Sequence, residues 1–463
     1  MAEDADDETL KVAIVGAGPA GYYTAESLST SGRPVEIDML DRLPTPYGLI
    51  RFGVAPDHQS IKAVARRYEK TALKENVHFV GNVELGRDVT LDELMMLYDA
   101  VVICCGAGRD RPFTVPGADL KGVVGSAAFV GWYNSHPDFV DLDIDLGIHS
   151  AAVIGNGNVA VDVVRVLAKT PDEMAHSDIA PQAEERIAHA PLRDLWMFGR
   201  RGPREAKFTP KELGELGKLE RCVPLVDPAQ LPPPESDADL EPGRRKVMEL
   251  LRRYAENRPE DKPVRLHIVF YARPVAVLGK DRAEKLRLER TRLDEEGRAV
   301  GTGEFFEIEC GLVVPCIGYR SNPIPGLPYD ERRGCFRNEG GRIRERLYVA
   351  GWARRGPTGT IGTNKPDGAE VAERLLREVE PAGRPGRTGL DRLLCERHVR
   401  IVRFRDWKKI EKVELERGAG IRPRVKFCYR DEMLRLAGHE PRPEARTIGN
   451  QEADTSTARE TIS

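Results

Sequence analysis

The sequence contains no Cys-x-x-Cys pair. Its eight cysteines are Cys104, Cys105, Cys222, Cys310, Cys316, Cys335, Cys395 and Cys428. Their spacing argues against a zinc ribbon, a chain-borne iron–sulfur cluster and a thioredoxin-like redox dithiol. Cys104 and Cys105 follow the apolar run Val101-Val102-Ile103 and are expected as buried strand cysteines, as are Cys310 and Cys316 beside another strand. No apolar run approaches the roughly 18 residues of a membrane-spanning helix. Net charge is also slight: 71 Lys and Arg stand against 74 Asp and Glu, −3 in all. No global field therefore draws the chain to nucleic acid or an anionic membrane. Met1 to Glu8 is acidic and lacks the basic and apolar regions of a secretory signal, so a cytoplasmic location is expected. What remains, 463 residues with 40% hydrophobic and 31% charged content, is ordinary for a soluble enzyme of about two to three domains.

The strongest local pattern is Lys11 to Leu28, KVAIVGAGPAGYYTAESL. Val12 to Val15 reads as a buried parallel strand and Tyr22 to Leu28 as a helix. Between them, Gly16, Gly18 and Gly21 form GxGxxG in the strand–turn–helix context that dinucleotide binding requires. Gly16 permits the tight turn, Gly18 lets backbone approach a pyrophosphate, and Gly21 lets helix pack on strand. The helix N-terminus offers unpaired N–H groups to phosphate. Alone, the motif is weak, and a plain glycine turn is the alternative. A second strand, Val35 to Leu40, ends at Asp41, where an acidic residue holds ribose hydroxyls. The alternative for Asp41 is a solvated turn residue.

A second copy follows about 140 residues later, SAAVIGNGNVAVDVVRVL from Ser150. Gly155-Asn156-Gly157-Asn158-Val159-Ala160 repeats the pattern, with Ala in the third place. Its next strand ends not in an acid but in Arg200-Arg201. Arginine there suits a ribose 2′-phosphate through bidentate bonds, which points to NADP rather than NAD. The alternative is an arginine pair on a solvated loop. Between them, Leu43 to His58 is fixed by three prolines and two glycines, and a helix is expected over about 60–74. The stretch 170–191 reads as irregular, and strands near 265–271 and 275–278 read as antiparallel. Arg346 to Gly351 is one more buried strand, leading into a glycine loop and a helix from Lys365. Amphipathic helical pieces follow from Leu390, and Glu440 to Ser463 is polar and expected to be disordered.

Together, VAIVGAGPAGYYTAESL, LPTPYGLIRFGVAPDH, VIGNGNVAVDVVRVL, GRRGPREAKFTPKEL and VAGWARRGPTGTIGTNKPDG resemble the adrenodoxin-reductase family of ferredoxin–NADP(+) reductases, bacterial members especially. The resemblance spans roughly Lys11 to Leu436. It implies an α/β flavoprotein of two Rossmann-like domains, the NADP domain inserted into a discontinuous FAD domain. The expected boundaries are 1–106 and 326–436 for FAD, 107–325 for NADP, and 437–463 for the tail. FAD is expected at Gly16, Ala17, Gly18, Ala20 and Gly21, with Asp41, Leu49, Val83, Trp352, Gly359, Thr360 and Ile361. NADP(H) is expected at Asn156, Gly157, Asn158, Val159, Arg200, Arg201, Glu212 and Gly359. Asp41 stands where the family more often has glutamate, and Arg204 to Lys207 is more charged than usual.

The resemblance implies hydride transfer from NADPH to FAD, then single electrons to a ferredoxin-type acceptor. It places His58 and Glu215 near the flavin, to hold water, relay a proton or steer the nicotinamide; a backbone-bonded loop histidine and a solvated helix glutamate are the alternatives. An acidic ferredoxin calls for a basic face, with Arg244, Arg245, Arg252 and Arg253 as candidates and Lys207 and Lys211 as further ones; a solvated helix face is the alternative. Two other functions stay open. One is a flavin electron-entry module like the glutamate-synthase small subunit, although such modules carry N-terminal cysteine clusters and the first cysteine here is Cys104. The other is a non-catalytic nucleotide-binding or redox-sensing protein.

Overall fold

Short β-branched runs flanked by glycine pair here as parallel strands, buried on both faces by the helices between them. The structure, a computed structural model, describes residues 8–440. The polar tail lies outside the described residues from 441 onward. A six-stranded sheet runs in the order Arg342–Arg344, Leu347–Val349, Ala100–Ile103, Leu10–Val15, Val35–Asp41, Val77–Gly81. All its pairings are parallel except the outermost, between Arg342–Arg344 and Leu347–Val349. A second, five-stranded parallel sheet runs Leu312–Pro315, Ser150–Ile154, Asp194–Phe198, Val264–Val269, Cys222–Val226. Both ends of the chain thus build the first sheet and the middle builds the second, giving two Rossmann-like units with one inserted in the other. The chain leaves and returns side by side: Arg109–Asp110 pairs antiparallel with Tyr319–Arg320.

The two sheets are built alike at their carboxyl edges. Each first strand lies between neighbours of opposite sequence direction, Ala100–Ile103 and Val35–Asp41 in one case, Leu312–Pro315 and Asp194–Phe198 in the other. That switch point is where open α/β sheets leave a crevice for ligands. Gly16 has φ +116°, and a Cβ there would lie 2.4 Å from the Cys104 carbonyl oxygen. Gly155 has φ +143° and meets the Cys316 carbonyl oxygen at the same 2.4 Å. In both units a side chain at the first glycine would strike the end of the neighbouring strand.

Several local expectations change. The helix expected over 60–74 is two pieces, Gln59–Lys62 and Ala65–Ala72. The stretch 170–191 contains helices Pro171–Met174 and Pro181–Ala188, each begun by a proline whose missing N–H costs nothing at a helix start. The strand near 265–271 is Val264–Val269 and joins the parallel sheet. The strand expected near 275–278 is Ala272–Leu278, antiparallel as expected, in a layer with Lys285–Leu293 and Ala299–Glu309. Cys104 and Cys310 are buried as expected, but Cys105 is exposed because the strand has already ended at Ile103.

The last segment clamps both units. Helix Phe404–Arg417 packs against the first sheet, placing Trp407 and Ile410 in its core. Its Glu414, fully buried, pairs with buried Arg51. Lys62 Nζ lies 2.6 Å from Asp178 Oδ1. Lys426, also buried, donates to the Arg51 carbonyl at 3.2 Å and to Asn134 Oδ1 at 3.3 Å. Among the described residues no helix is long and apolar enough to cross a membrane.

Candidate functional site

The first glycine turn forms a cradle at the carboxyl ends of Leu10–Val15, Val35–Asp41, Ala100–Ile103 and Leu347–Val349. Helix Pro19–Ser29 starts there, with Gly18 as N-cap and no side-chain cap. Its first-turn N–H groups have no intrahelical acceptor and face the crevice as an anion site. Gly21 sits where a Cβ would lie 2.0 Å from the Gly16 carbonyl oxygen. Ala20 faces Gly351, at the end of strand Leu347–Val349, across a gap that any Gly351 side chain would close. Asp41 accepts from the Ala17 N–H at 2.9 Å through Oδ2 and from the Leu43 N–H at 2.9 Å through Oδ1. Its carboxylate therefore braces the glycine turn, and burial raises its pKa. Val83 is buried, its N–H donating to the Asp41 carbonyl at 2.9 Å. Leu49 opens the short helix Leu49–Phe52 behind Gly48, which touches Gly18. Trp352 Nε1 donates to the Thr358 carbonyl at 3.1 Å, closing the loop that presents Gly359, Thr360 and Ile361. This cradle fits a dinucleotide: glycines where backbone must approach, and a free helix start.

The second cradle has a different polar lining. Helix Asn158–Ala168 starts with Gly157 as N-cap and again has no side-chain cap. Asn156 lies across Gly199, and its Oδ1 is buried with no partner. Asn158 Oδ1 accepts from the Thr209 N–H at 2.9 Å, and the Asn156 carbonyl accepts from the Lys207 N–H at 2.6 Å. The half-buried Glu212 also keeps a buried, partnerless Oε2. The Arg200 carbonyl accepts from Thr291 Oγ at 2.8 Å and the Arg201 carbonyl from the Tyr271 N–H at 3.2 Å. Both arginine backbones are pinned, while their guanidinium groups have no partner among the described residues. Orphaned acceptors beside two free guanidinium groups fit a polar, anionic guest.

The two units meet at His58 and Glu215. His58 ends the loop GVAPDH; Glu215 rides on helix Pro210–Leu216 of the inserted unit. His58 Nε2 and Glu215 Oε2 are 2.9 Å apart, and the histidine side chain is only 9% exposed. Neither plainer alternative holds for this pair: the ring bonds a side chain, and the carboxylate is paired. Burial opposes the Glu215 charge, but the His58 hydrogen bond and Arg165 outweigh it, leaving its pKa below the usual range.

Arg165 was invisible to motif reading. It lies on helix Asn158–Ala168, 1% exposed, with Nε 3.3 Å from Glu215 Oε2 and a nitrogen 2.8 Å from Asp162 Oδ1. It also pairs with Asp57, which Lys169 Nζ reaches at 2.7 Å. Burial disfavours the Asp57 carboxylate, yet Arg165 and Lys169 hold its pKa down at about 2. Burial raises that of Asp162. One signal was present: two charges inside the apolar run Val159 to Leu167, where full burial is tolerated only with partners.

Of the basic candidates on helix Pro242–Ala255, two turn inward. Arg244 donates to the carbonyls of Arg204, at 3.2 Å, and Ala206. Arg252 pairs with Asp237 and donates to the Pro232 carbonyl at 2.9 Å. Arg245 and Arg253 are exposed, although Arg245 also donates to the carbonyls of Ala238 and Leu240, each at 3.2 Å.

Known proteins share this arrangement. A family model described as Pyridine nucleotide-disulphide oxidoreductase matches residues 10–191. The chain is 39% identical over 457 residues to the mitochondrial NADPH:adrenodoxin oxidoreductase of Homo sapiens, covering 94% of this chain and 93% of that protein. It is 40% identical over 450 residues to NADPH-ferredoxin reductase FprA of Mycobacterium tuberculosis, covering 92% and 98%. The structure of that reductase in complex with NADPH superposes with a TM-score of 0.88, at 38% identity over 92% of this chain and 99% of the other. Likeness at that level runs through both cradles and the junction between them, and the chain belongs to the adrenodoxin-reductase family.

Proposed function

We propose that this chain is a flavoprotein ferredoxin–NADP(+) reductase, with FAD in the first cradle and NADP(H) in the second. Bound there, FAD takes hydride from NADPH and passes electrons singly to a ferredoxin-type iron–sulfur protein. The observation that carries the assignment of cofactors to cradles is the pair Arg200 and Arg201. Two guanidinium groups on a pinned backbone stand beside the second cradle alone, and a 2′-phosphate is the group that distinguishes NADP from NAD.

The chain's own part is to bind, orient and handle a proton. The Gly16–Gly21 turn and the free start of helix Pro19–Ser29 receive one pyrophosphate, with Ala17 held by Asp41. Asn156 to Val159 receive the other, and the partnerless Glu212 Oε2 takes a ribose or amide donor. Trp352 to Ile361 are carried back from the far end of the chain to the first cradle, where Gly351 faces Ala20. His58 Nε2 and Glu215 Oε2 share a proton there. For the acidic partner, Arg245 and Arg253 are the exposed docking candidates, and Arg245, like Arg244 and Arg252, also donates to backbone carbonyls.

The test is a titration. The purified protein should be yellow, should bleach with NADPH under anaerobic conditions, and should reduce cytochrome c faster when ferredoxin is added. A colourless protein, or one bleached equally well by NADH, overturns the proposal.

A further inference from the structure

Oxidising one NADPH yields NADP+, two electrons and one proton. When the electrons leave singly to an acceptor that takes no proton, one proton per turnover must pass from the buried reaction zone to water. The structure gives one connected set of charges at that place. Around the His58–Glu215 contact stand Asp57, Asp162, Arg165, Lys169, Glu173 and Lys218. They come from the loop before His58, from helix Asn158–Ala168 and its exit, from the short helix Pro171–Met174 and from the turn after helix Pro210–Leu216.

A cavity of about 250 Å³ opens beside them, lined by His58, Glu215, Arg165, Lys169, Glu173 and the exposed Lys218. We propose that this cavity is the proton route between the His58–Glu215 pair and solvent, and that Arg165 is the positioning residue that aims the Glu215 carboxylate at His58 Nε2. The inference rests on reading His58 and Glu215 as the proton-handling pair.

Three observations support it. First, Arg165 is buried and its charged neighbours are carboxylates: it hydrogen-bonds Asp57 on one side and Asp162 on another, and its Nε forms an ion pair with Glu215 Oε2 at 3.3 Å. A forked guanidinium spanning three acids fixes their mutual positions as a lysine cannot. Second, the inner charges are two positive, Arg165 and Lys169, against three negative, Asp57, Asp162 and Glu215. The set therefore carries one net negative charge beside the His58–Glu215 contact, which suits the passage of a proton. Third, Arg165 is one side of a fixed link. Its helix starts at the second cradle, and its partner Asp57 adjoins His58. The pair is therefore registered to the nucleotide end of the same helix.

The test is the pH profile of NADPH–ferricyanide turnover by the FAD-loaded enzyme. Replacing Arg165→Gln removes a positive neighbour, so the limb set by the pair should move to higher pH by about one to two units. Arg165→Lys keeps the charge but not the fork, so its limb should fall between those of the wild type and Arg165→Gln. Asp57→Asn removes a negative neighbour and should move the limb the other way. Opposite signs are something a merely structural role would not produce. Should Arg165→Gln fail to fold, Arg165→Lys and Asp57→Asn still decide. The proposal is overturned when these variants lower thermal stability but leave the limb in place, or shift it in one direction only. Glu215→Gln and His58→Gln separate the two levels. If they leave the profile unchanged, the reading of the pair itself fails. If they reshape it and the Arg165 and Asp57 variants do not, only the role of Arg165 and its cavity fails.

Discussion

Changing Arg200→Ala together with Arg201→Ala should convert the enzyme's preference for NADPH into near indifference between NADPH and NADH. The size of the effect follows from where the two residues sit. Their carbonyls are held by Thr291 Oγ at 2.8 Å and the Tyr271 N–H at 3.2 Å, and neither bond involves the side chains. The loop should therefore keep its shape when both guanidinium groups are removed. Neither group has a partner among the described residues, so no folding contact is lost. What disappears is a charged partner for a phosphate, worth about 1.5–3 kcal/mol per hydrogen bond. One such bond corresponds to roughly a 10- to 100-fold change in the ratio of kcat/KM for NADPH to that for NADH. Ferricyanide reduction measures both constants without a protein partner. The loss should fall on NADPH alone and appear mainly in KM, because the phosphate lies away from the reacting atoms. Unchanged constants for both nucleotides would refute the assignment of the second cradle to NADP, whereas an equal loss with both would mean that the loop itself had moved.

Other outcomes follow from the same structure. Charge reversal at Arg245 and Arg253 should raise KM for ferredoxin at low salt, with the effect fading as salt screens it, and leave ferricyanide turnover intact; equal loss in both assays argues against docking there. Glu414→Gln leaves Arg51 buried without its counter-charge and should cost about 3–5 kcal/mol in urea unfolding. Asp38 is buried, and burial raises its pKa to about 6 although the Tyr98 hydroxyl donates to it at 2.8 Å. Because the folded value lies above the unfolded one, the folded state binds the proton more tightly, and stability falls as pH rises from about 4 to about 6. Asp38→Asn keeps an acceptor for Tyr98 and should gain about 1–3 kcal/mol at pH 7 and nothing near pH 4, read from unfolding midpoints at the two pH values.

Much of this site was legible in the chain itself. The paired glycine turns, the change from Asp41 to Arg200-Arg201 and the motif GVAPDH carried the fold and the placing of two nucleotides, because each is a local device whose geometry requires those residues. The contact between His58 and Glu215 was reached only through resemblance: residues 157 apart leave no local mark of their meeting. Arg165 was not reached at all, since it acts through partners that come together only when the inserted unit docks. Arg244 was misjudged for a related reason. A run of arginines looks alike on a helix face whether it points to water or to the carbonyls of Arg204 and Ala206. The helices within 170–191 were hidden by prolines, which break helices in the interior but begin them at the first turn.

The clamp formed by the final segment has a consequence for how the protein is made. Arg51 and Lys62 belong to the first unit, Asn134 and Asp178 to the inserted one, and Glu414 and Lys426 to a stretch that a ribosome delivers near the end. Strand Leu347–Val349, which flanks the first sheet's oldest strands, also comes late. Until those residues emerge, the N-terminal part holds an unfinished sheet edge and a buried cation, Arg51, without its acid. The inserted unit, with every strand of its own sheet drawn from residues 150–315, has all it needs earlier. Maturation should therefore run from the middle of the chain outward, with the first nucleotide cradle completed last.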